Sequence, residues 1–337
     1  MSALIACHPA PAPSDWRAAM RDLITSPAAL FELLQLSADQ LGWSEQAARD
    51  FPLRLPRAFA RRMQPGDPQD PLLLQVLASQ QELLTAPGFS SDPTGETGAA
   101  NPQPGIIHKY HGRVLLLVTG SCAIHCRYCF RRHFPYADNQ NSRAEWPAAL
   151  AAIAADRSIS EVIFSGGDPL VAGDEPLREL VQALADIPQL RRLRVHTRLP
   201  IVIPERVTAQ LLETLSSSRL QTVMVVHSNH ANEIDPQVAQ AFARIRGAGI
   251  TLLNQSVLLA GINDTAAALI ALSERLFEAG ALPYYLHLLD KVAGAAHFDV
   301  SEARARELHR EIAARLPGYL LPKLVREVAG APAKVLL

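Results

Sequence analysis

The chain has 337 residues, 48% of them hydrophobic, which suits one large α/β domain with an appendage or two modest domains. Its formal net charge is -1 and only 6% of its residues are aromatic, so neither a basic field nor stacking side chains favour nucleic acid as a partner. The N-terminus lacks the pattern of a signal peptide, and no apolar stretch reaches about 18 residues. We therefore expect a cytoplasmic protein that binds neither nucleic acid nor membrane.

The first 85 residues have a helical pattern, and the next 21 do not. Three segments have apolar residues at three- and four-residue spacing: 16–24, 27–36 and 44–51. The following stretch is rich in Pro, Gly, Ser and Thr. The predicted organisation is an N-terminal helical region over 1–85, a linker or surface loop over 86–106 and a larger unit over 107–337.

The larger unit alternates between short β-branched runs and helical segments. Six runs predict strands: 113–119, 161–165, 193–197, 222–227, 251–259 and 284–289. Six helices are predicted between and after them: 143–155, 175–185, 208–216, 236–248, 265–279 and 301–316. This alternation predicts a parallel sheet, as a doubly wound open sheet or a partial (β/α)6 barrel. Polar residues at all six strand ends favour a barrel-like ring around one central site.

Three of the four cysteines lie within eight residues, directly after the first predicted strand: Cys122, Cys126 and Cys129. Such clustering is not that of a secreted disulfide framework and indicates metal chemistry in a reducing compartment. Iron–sulfur clusters normally take four thiolates, so three would leave one iron open to a small molecule. A structural zinc site with His125 or His133 as fourth ligand, or three buried free thiols, remain alternatives. Cys7 lies far from the other three and is predicted to be dispensable.

The motifs resemble those of the lysine 2,3-aminomutase family, which belongs to the radical S-adenosylmethionine (SAM) superfamily. C-x3-C-x2-C after the first strand is typical of that superfamily. Five segments over about residues 105–337 resemble the family in the same order: RVLLLVT at 113–119, CRYC at 126–129, SGGDPL at 165–170, NQSVLL at 254–259 and PYYL at 283–286. The resemblance implies a radical SAM partial barrel with a [4Fe–4S] cluster on the three cysteines, SAM and pyridoxal 5′-phosphate (PLP).

The resemblance also implies where PLP binds. Lys334, in the segment VAGAPAK, corresponds to the lysine that carries PLP, although Gly330 is the only one of the family's four glycines that remains. Arg113 matches a residue near the PLP phosphate, and Tyr110 lies on the same edge. Without the resemblance, Lys334 would be interpreted as a solvated lysine and Arg113 as a residue that merely borders a strand.

Further residues correspond to SAM and substrate contacts of the family. Those expected near SAM are Ser165, Gly166, Gly167, Asp168, Arg198, His227 and Gln255. The Asp168 carboxylate is expected to pair with the SAM ammonium. Arg131 corresponds to the arginine that holds the substrate carboxylate. Asp290 and Glu327 correspond to two carboxylates that hold the substrate ε-ammonium, with Glu327 one methylene longer than its counterpart. Each could otherwise be a helix cap or a satisfied polar residue of the barrel rim.

The segment LDKVAGAAHF at 289–298 resembles the shorter bacterial aminomutases that serve elongation factor P. The resemblance implies an isomerase that converts (S)-α-lysine into (R)-β-lysine, with a reductant such as flavodoxin or ferredoxin and a functional link to elongation factor P and its lysine ligase. The alternatives are an aminomutase for another amino acid and a non-catalytic, zinc-stapled module of the translation machinery. The carboxylate pair Asp290 and Glu327 favours lysine.

Overall fold

A computed structural model describes residues 15–139, 143 and 145–337. Its strands are β1 Leu23–Ile24, β2 Leu55–Pro56, β3 Ile106–Tyr110, β4 Arg113–Thr119, β5 Glu161–Gly166, β6 Arg192–Thr197, β7 Gln221–His227, β8 Thr251–Val257, β9 Leu282–His287, β10 Lys323–Arg326 and β11 Val335–Leu336. Within these residues, β1 and β2 form a small antiparallel pair and the other nine strands form one sheet.

The main sheet is an open barrel wall rather than a doubly wound sheet. Its strands lie side by side in chain order from β3 to β11, without the reversal that a doubly wound sheet requires. Strands β4 to β10 are mutually parallel, and antiparallel partners flank them, β3 on one edge and β11 on the other. The predicted partial barrel is confirmed. The sequence prediction missed β3, β10 and β11, because they are short and carry little alternation.

The helices are α1 Trp16–Arg21, α2 Pro27–Leu34, α3 Ala38–Leu41, α4 Glu45–Asp50, α5 Arg57–Ala60, α6 Trp146–Ala155, α7 Asp174–Ala185, α8 Leu199–Val202, α9 Ala209–Ser216, α10 Pro236–Gly247, α11 Ala266–Ala279 and α12 Glu302–Ala313. The six helices predicted between and after the strands are therefore present. Hydroxyl side chains cap the starts of three of these helices, α9, α11 and α12; the Thr265 side chain, for example, accepts from the Ala268 amide in α11. No helix in the described residues is both long and apolar enough to cross a bilayer.

The N-terminal region is less helical than predicted. Beyond α5 the described chain turns repeatedly until a single 3-10 turn at Gln80–Leu83. Prolines explain this, because three of them recur in this segment and cannot donate to a helix: Pro65, Pro68 and Pro71. Apolar side chains of this region, such as Leu30 and Phe59, share one buried core with Phe164 and Leu193 of the barrel. The region therefore packs on the barrel as one body.

Candidate active site

The loop that follows β4 brings the three cysteines to a single cavity. The cavity has a volume of about 290 Å³, and we call it the cysteine cavity. Its walls include Cys122, Cys126, Cys129, Phe51, Gly166, Gly167, Asp168 and Arg198. All three thiols are free, and burial raises the pKa of Cys129 to about 11. Burial also raises the pKa of Cys122, so the thiols of Cys122 and Cys129 are neutral until a metal displaces their protons.

The histidines proposed as zinc ligands are directed elsewhere. His125 Nδ1 lies 2.8 Å from the Pro52 carbonyl, and its ring stacks on Phe51. His133 Nε2 lies 3.1 Å from the Ala293 carbonyl. In the described part of the chain, no three His, Cys, Asp or Glu side chains converge as they would around one metal ion. The donor set of three thiols on one cavity wall fits an iron–sulfur cluster better than a single zinc ion.

Two glycines let the end of β5 approach the cysteine loop. Gly166 has a φ of 120°, and a Cβ there would lie 2.3 Å from the Thr119 carbonyl oxygen. A Cβ on Gly167 would lie 2.5 Å from the Ser121 carbonyl oxygen. The Gly167 amide donates to Thr119 O at 2.8 Å, which joins the two segments. Only glycine fits this approach, so the backbone itself forms this cavity wall.

The Asp168 carboxylate, which was expected to pair with the SAM ammonium, is hydrogen-bonded to groups of the protein. One oxygen accepts from the Thr197 hydroxyl at 2.7 Å and from the Leu170 amide at 3.0 Å. The other accepts from the amides of Arg198 at 2.7 Å and Leu199 at 3.1 Å. Four donors satisfy a buried carboxylate, so Asp168 fixes the end of β5 against the end of β6. Contact with the SAM ammonium stays a prediction that this geometry does not favour.

Arg198 contacts a cysteine directly. Its Nη1 lies 2.7 Å from Cys126 Sγ and 2.7 Å from the Tyr128 hydroxyl. Its Nη2 donates to Gln75 at 2.7 Å and to Glu233 at 3.0 Å. The Glu233 carboxylate is completely buried, so it fixes the guanidinium in place. Sequence reasoning identified Arg198 but neither of its two anchors, Gln75 and Glu233.

A second cavity, also about 290 Å³, lies on the barrel side of the cysteines, and we call it the lysine cavity. The charged residues that line it are Glu96, Lys109, Arg113, Arg131, Arg194, Asp290, Glu327 and Lys334. Phe130, Arg131 and Ser165 line both cavities, so the two adjoin. The structure thus brings Arg131, Asp290, Glu327 and Lys334, which the sequence analysis singled out separately, to one chamber.

Charged side chains of alternating sign run along one wall of the lysine cavity. Arg131 Nε donates to Glu96 at 2.6 Å, and Glu96 lies 3.1 Å from Lys109 Nζ. Lys109 lies 2.8 Å from Glu327, which lies 2.5 Å from Lys334 Nζ. Burial alone would raise the pKa of Glu327, but the cations of Lys334 and Lys109 outweigh it and lower that pKa to about 2. The pKa of Glu96 is likewise lowered and those of Lys109 and Arg131 are raised by their partners, so these four groups are charged at neutral pH.

Part of this chain of charges closes the barrel. Lys109 and Tyr110 belong to β3, whereas Glu327 and Lys334 lie in the turn between β10 and β11, at the opposite edge of the sheet. The Tyr110 hydroxyl donates to the same Glu327 oxygen that contacts Lys109. We call the contacts among these four residues the seam. The backbone sheet is open, and the seam joins its two edges through side chains.

The Asp290 carboxylate, unlike that of Glu327, forms no ion pair within the described residues. It lies in the loop after β9 and lines the lysine cavity. Among the described residues, no cation pairs with its carboxylate within 4.0 Å. Burial raises its pKa to about 7, although Lys334 counteracts part of that rise. A buried carboxylate without an ion-pair partner can bind an incoming cation.

The match to known proteins covers nearly the whole chain. A family model described as the Radical SAM superfamily matches residues 116–272. The L-lysine 2,3-aminomutase of Escherichia coli strain K12 is 52% identical over 96% of this chain and 94% of its own length. The L-lysine 2,3-aminomutase of Haemophilus influenzae is 50% identical over 96% of this chain and 95% of its own length. That of Clostridium subterminale is 30% identical over 95% of this chain and 77% of its own length. The chain belongs to the radical SAM lysine 2,3-aminomutase family.

Members of this aminomutase family use a [4Fe–4S] cluster, SAM and PLP, and the side chains present fit PLP. Lys334 directly precedes β11 and its amine reaches the lysine cavity. The guanidinium of Arg113 lies 4.6 Å from the centre of the Tyr110 ring. No carboxylate pairs with Arg113 within 4.0 Å in residues 15–139, 143 and 145–337. A cavity with a reachable amine and an uncompensated arginine fits an aldehyde that bears a phosphate.

The aminomutase barrel also presents imidazoles that sequence reasoning missed. His196 and His287 line the lysine cavity, and the Nε2 of each is buried without a hydrogen-bond partner in the described residues. A third imidazole, that of His227, was predicted. His227 and Gln255 were both expected near SAM, and their Nε2 atoms lie 2.9 Å apart. Burial lowers the pKa of His227 to about 3, so the ring is neutral. The signal for His196 and His287 was the inward position in strands that end at the site.

Glu96 and Lys109 were also missed. Glu96 falls in the predicted linker or surface loop, yet it is only 2% exposed because Arg131 and Lys109 surround it. Lys109 belongs to a strand that the periodicity did not indicate. Both are ordinary surface residue types, so only the tertiary contact reveals their role.

Proposed function

We propose that this protein is an L-lysine 2,3-aminomutase that converts (S)-α-lysine into (R)-β-lysine in the cytoplasm. The observation that carries the proposal is the placement of the unpaired Asp290 carboxylate in one chamber with Lys334 and Arg131. A diamino acid offers an amine to PLP, a carboxylate to a guanidinium and a side-chain ammonium to a carboxylate. The lysine cavity has one group for each of these needs.

The protein's own contribution is to hold and orient. The cluster with SAM would supply a hydrogen-abstracting radical, and PLP would supply the centre on which the amine migrates. Glu96 fixes the plane of the Arg131 guanidinium through two contacts, at 2.6 and 3.2 Å, so that Arg131 can orient a substrate carboxylate. Asp290 compensates the side-chain ammonium for the hydration it loses on entry. Because Arg131 lines both cavities, a substrate held there lies beside the cysteine cavity.

The reductant and the use of the product are further parts of the proposal. Splitting SAM needs one electron, for which a flavodoxin or ferredoxin is suited. The resemblance of residues 289–298 to the shorter bacterial aminomutases supports a role in modifying elongation factor P, with a lysine ligase that attaches the β-lysine. Mass spectrometry of elongation factor P from cells with and without this protein should show the loss of the β-lysyl modification when the protein is absent.

Anaerobic reconstitution tests the proposed activity. The protein is loaded with iron, sulfide and PLP, reduced with dithionite in the presence of SAM, and given L-lysine or L-glutamate. We expect L-lysine to give β-lysine only when SAM, the reconstituted cluster and PLP are all present. We expect no product from L-glutamate, because its side-chain carboxylate would meet the Asp290 carboxylate. A protein that binds one zinc and no iron, or that isomerises glutamate in preference to lysine, would contradict the proposal.

A further inference from the structure

We infer that Glu327 is the counter-ion of Lys334, and that Asp290 alone holds the side-chain ammonium of the substrate. This inference rests on the proposed function and sharpens it. The family resemblance assigns both carboxylates to the ammonium. The contacts in this chain divide the work between them.

The Glu327 carboxylate is already occupied. Its Oε2 lies 2.5 Å from Lys334 Nζ. Its Oε1 lies 2.8 Å from Lys109 Nζ and accepts from the Tyr110 hydroxyl. The Glu327 side chain is only 6% exposed, so three donors, two of them cations, surround one buried negative charge. A third ammonium would meet more positive than negative charge at this point.

If Glu327 served both Lys334 and the substrate ammonium, it would have to neutralise both cations at the same time. The substrate nitrogen forms a bond to the cofactor carbon that Lys334 gives up, and Lys334 leaves as an ammonium. The substrate nitrogen must give up one proton before it can form this bond, and Lys334 takes up one proton as it leaves, so protons and charge balance without an oxidant. Lys334 therefore needs a counter-ion while the substrate is bound, and the contact with Glu327 shows which group its amine reaches.

The extra methylene of Glu327 is consistent with this division. Glu327 directly follows β10, and its side chain extends to Lys109 and Tyr110 on the opposite edge of the sheet. An aspartate at this place would be one methylene shorter. The seam thus uses the added length of Glu327, and Asp290 remains unpaired on the cavity wall for the substrate.

The test compares two amino acids on the PLP-loaded protein without reductant, so that binding is read without turnover. L-lysine and L-norleucine have the same carbon chain, and norleucine lacks the side-chain ammonium. Each is titrated while the absorbance of the cofactor reports replacement of Lys334. We expect Asp290→Asn to weaken lysine by roughly tenfold to hundredfold and to leave norleucine unchanged. We expect Glu327→Gln to weaken both amino acids by the same factor, because the released Lys334 loses its counter-ion.

The ratio of the two dissociation constants decides the outcome. If Glu327→Gln weakens lysine tenfold relative to norleucine, Glu327 holds the substrate ammonium and the inference is overturned. Glu327→Ala is the second variant, should the glutamine variant fail to take up PLP, and its ratio should match that of the parent. If the parent itself gives no spectral change with lysine, or if borohydride does not fix PLP on Lys334, the proposed function fails together with this inference. A changed ratio in a Glu327 variant, or an unchanged ratio in Asp290→Asn, overturns the inference alone when the parent binds lysine normally.

Discussion

The two adjoining cavities are built in different ways. The cysteine cavity depends on close approach of backbone segments: a cysteine loop, two glycines that allow that approach, and two strand ends joined through Asp168. The lysine cavity is formed by charged side chains from both edges of the sheet. One therefore depends on shape and the other on charge. Substitutions should affect them through different measurements, which makes the comparison testable.

The largest expected effect separates the cavities completely. Cys126→Ala should abolish the [4Fe–4S] cluster and SAM cleavage, because a cubane cannot be held by two thiolates from this loop. PLP loading on Lys334 should continue, since the two cavities share no cofactor ligand. Iron and sulfide analysis, together with borohydride labelling, checks both parts. Cys7→Ala is the control and should retain its iron; Cys7 lies outside the described residues. Loss of PLP from Cys126→Ala would show that the cavities are not independent.

The second effect tests the backbone wall. Gly167→Ala places a Cβ about 2.5 Å from a carbonyl oxygen, and backbone atoms cannot move aside cheaply. We expect a loss of about 1–3 kcal/mol in the free energy of unfolding, or more, measured by denaturation of the apoprotein. Gly98→Ala is the matched control, because a Cβ there meets no atom within 4 Å. Equal stability of the two variants would mean that the cysteine loop is less closely packed than the structure has it.

The third effect is electrostatic and belongs to the lysine cavity. The Asp290 carboxyl has a pKa of about 7, so it is protonated below that pH and charged above it. Lysine affinity should therefore rise as the pH increases from 6 to 8, by about tenfold, and Asp290→Asn should flatten that profile. A raised carboxyl pKa costs folding stability at pH values above its unfolded pKa, so the variant should melt no lower than the parent at pH 8. A pH profile that is the same in both proteins would exclude Asp290 from ammonium binding.

The smallest effect concerns a charge inside the cysteine cavity. Arg198 donates to Cys126 Sγ, and a cationic donor to a cluster thiolate stabilises the more negative, reduced cluster. Arg198→Gln should lower the reduction potential of the cluster, measured by redox titration followed by electron paramagnetic resonance. Glu233→Gln keeps the Arg198 cation and removes the buried negative charge beside it, so the potential of this variant should not fall. Equal shifts in both variants would indicate a general loss of packing.

The difference between the two cavities also explains which residues could be predicted from the sequence. The cysteine motif, the SGGD segment and the first three predicted strand ends lie within 113–198, and local alternation was enough to align them. Glu96 could not be found in this way, because a glutamate in a loop rich in Gly and Pro has the pattern of a solvated residue. It becomes buried only where Arg131 and Lys109 meet it. Asp290 and Glu327 came from family resemblance, and only the closed barrel shows that Glu327 is paired with two lysines while Asp290 is unpaired in the described residues.

The seam also sets an order of folding. Tyr110 and Glu327 are bonded across 217 positions of sequence, whereas the segments that hold the cysteines lie far closer together along the chain. Closing so long a loop costs more chain entropy than local pairing and comes later. During synthesis, strands β4 to β6 can assemble while the last hundred or so residues are still being added. The amine of Lys334 therefore reaches the chamber after its other walls have formed, so PLP can be captured only by a barrel that is already closed.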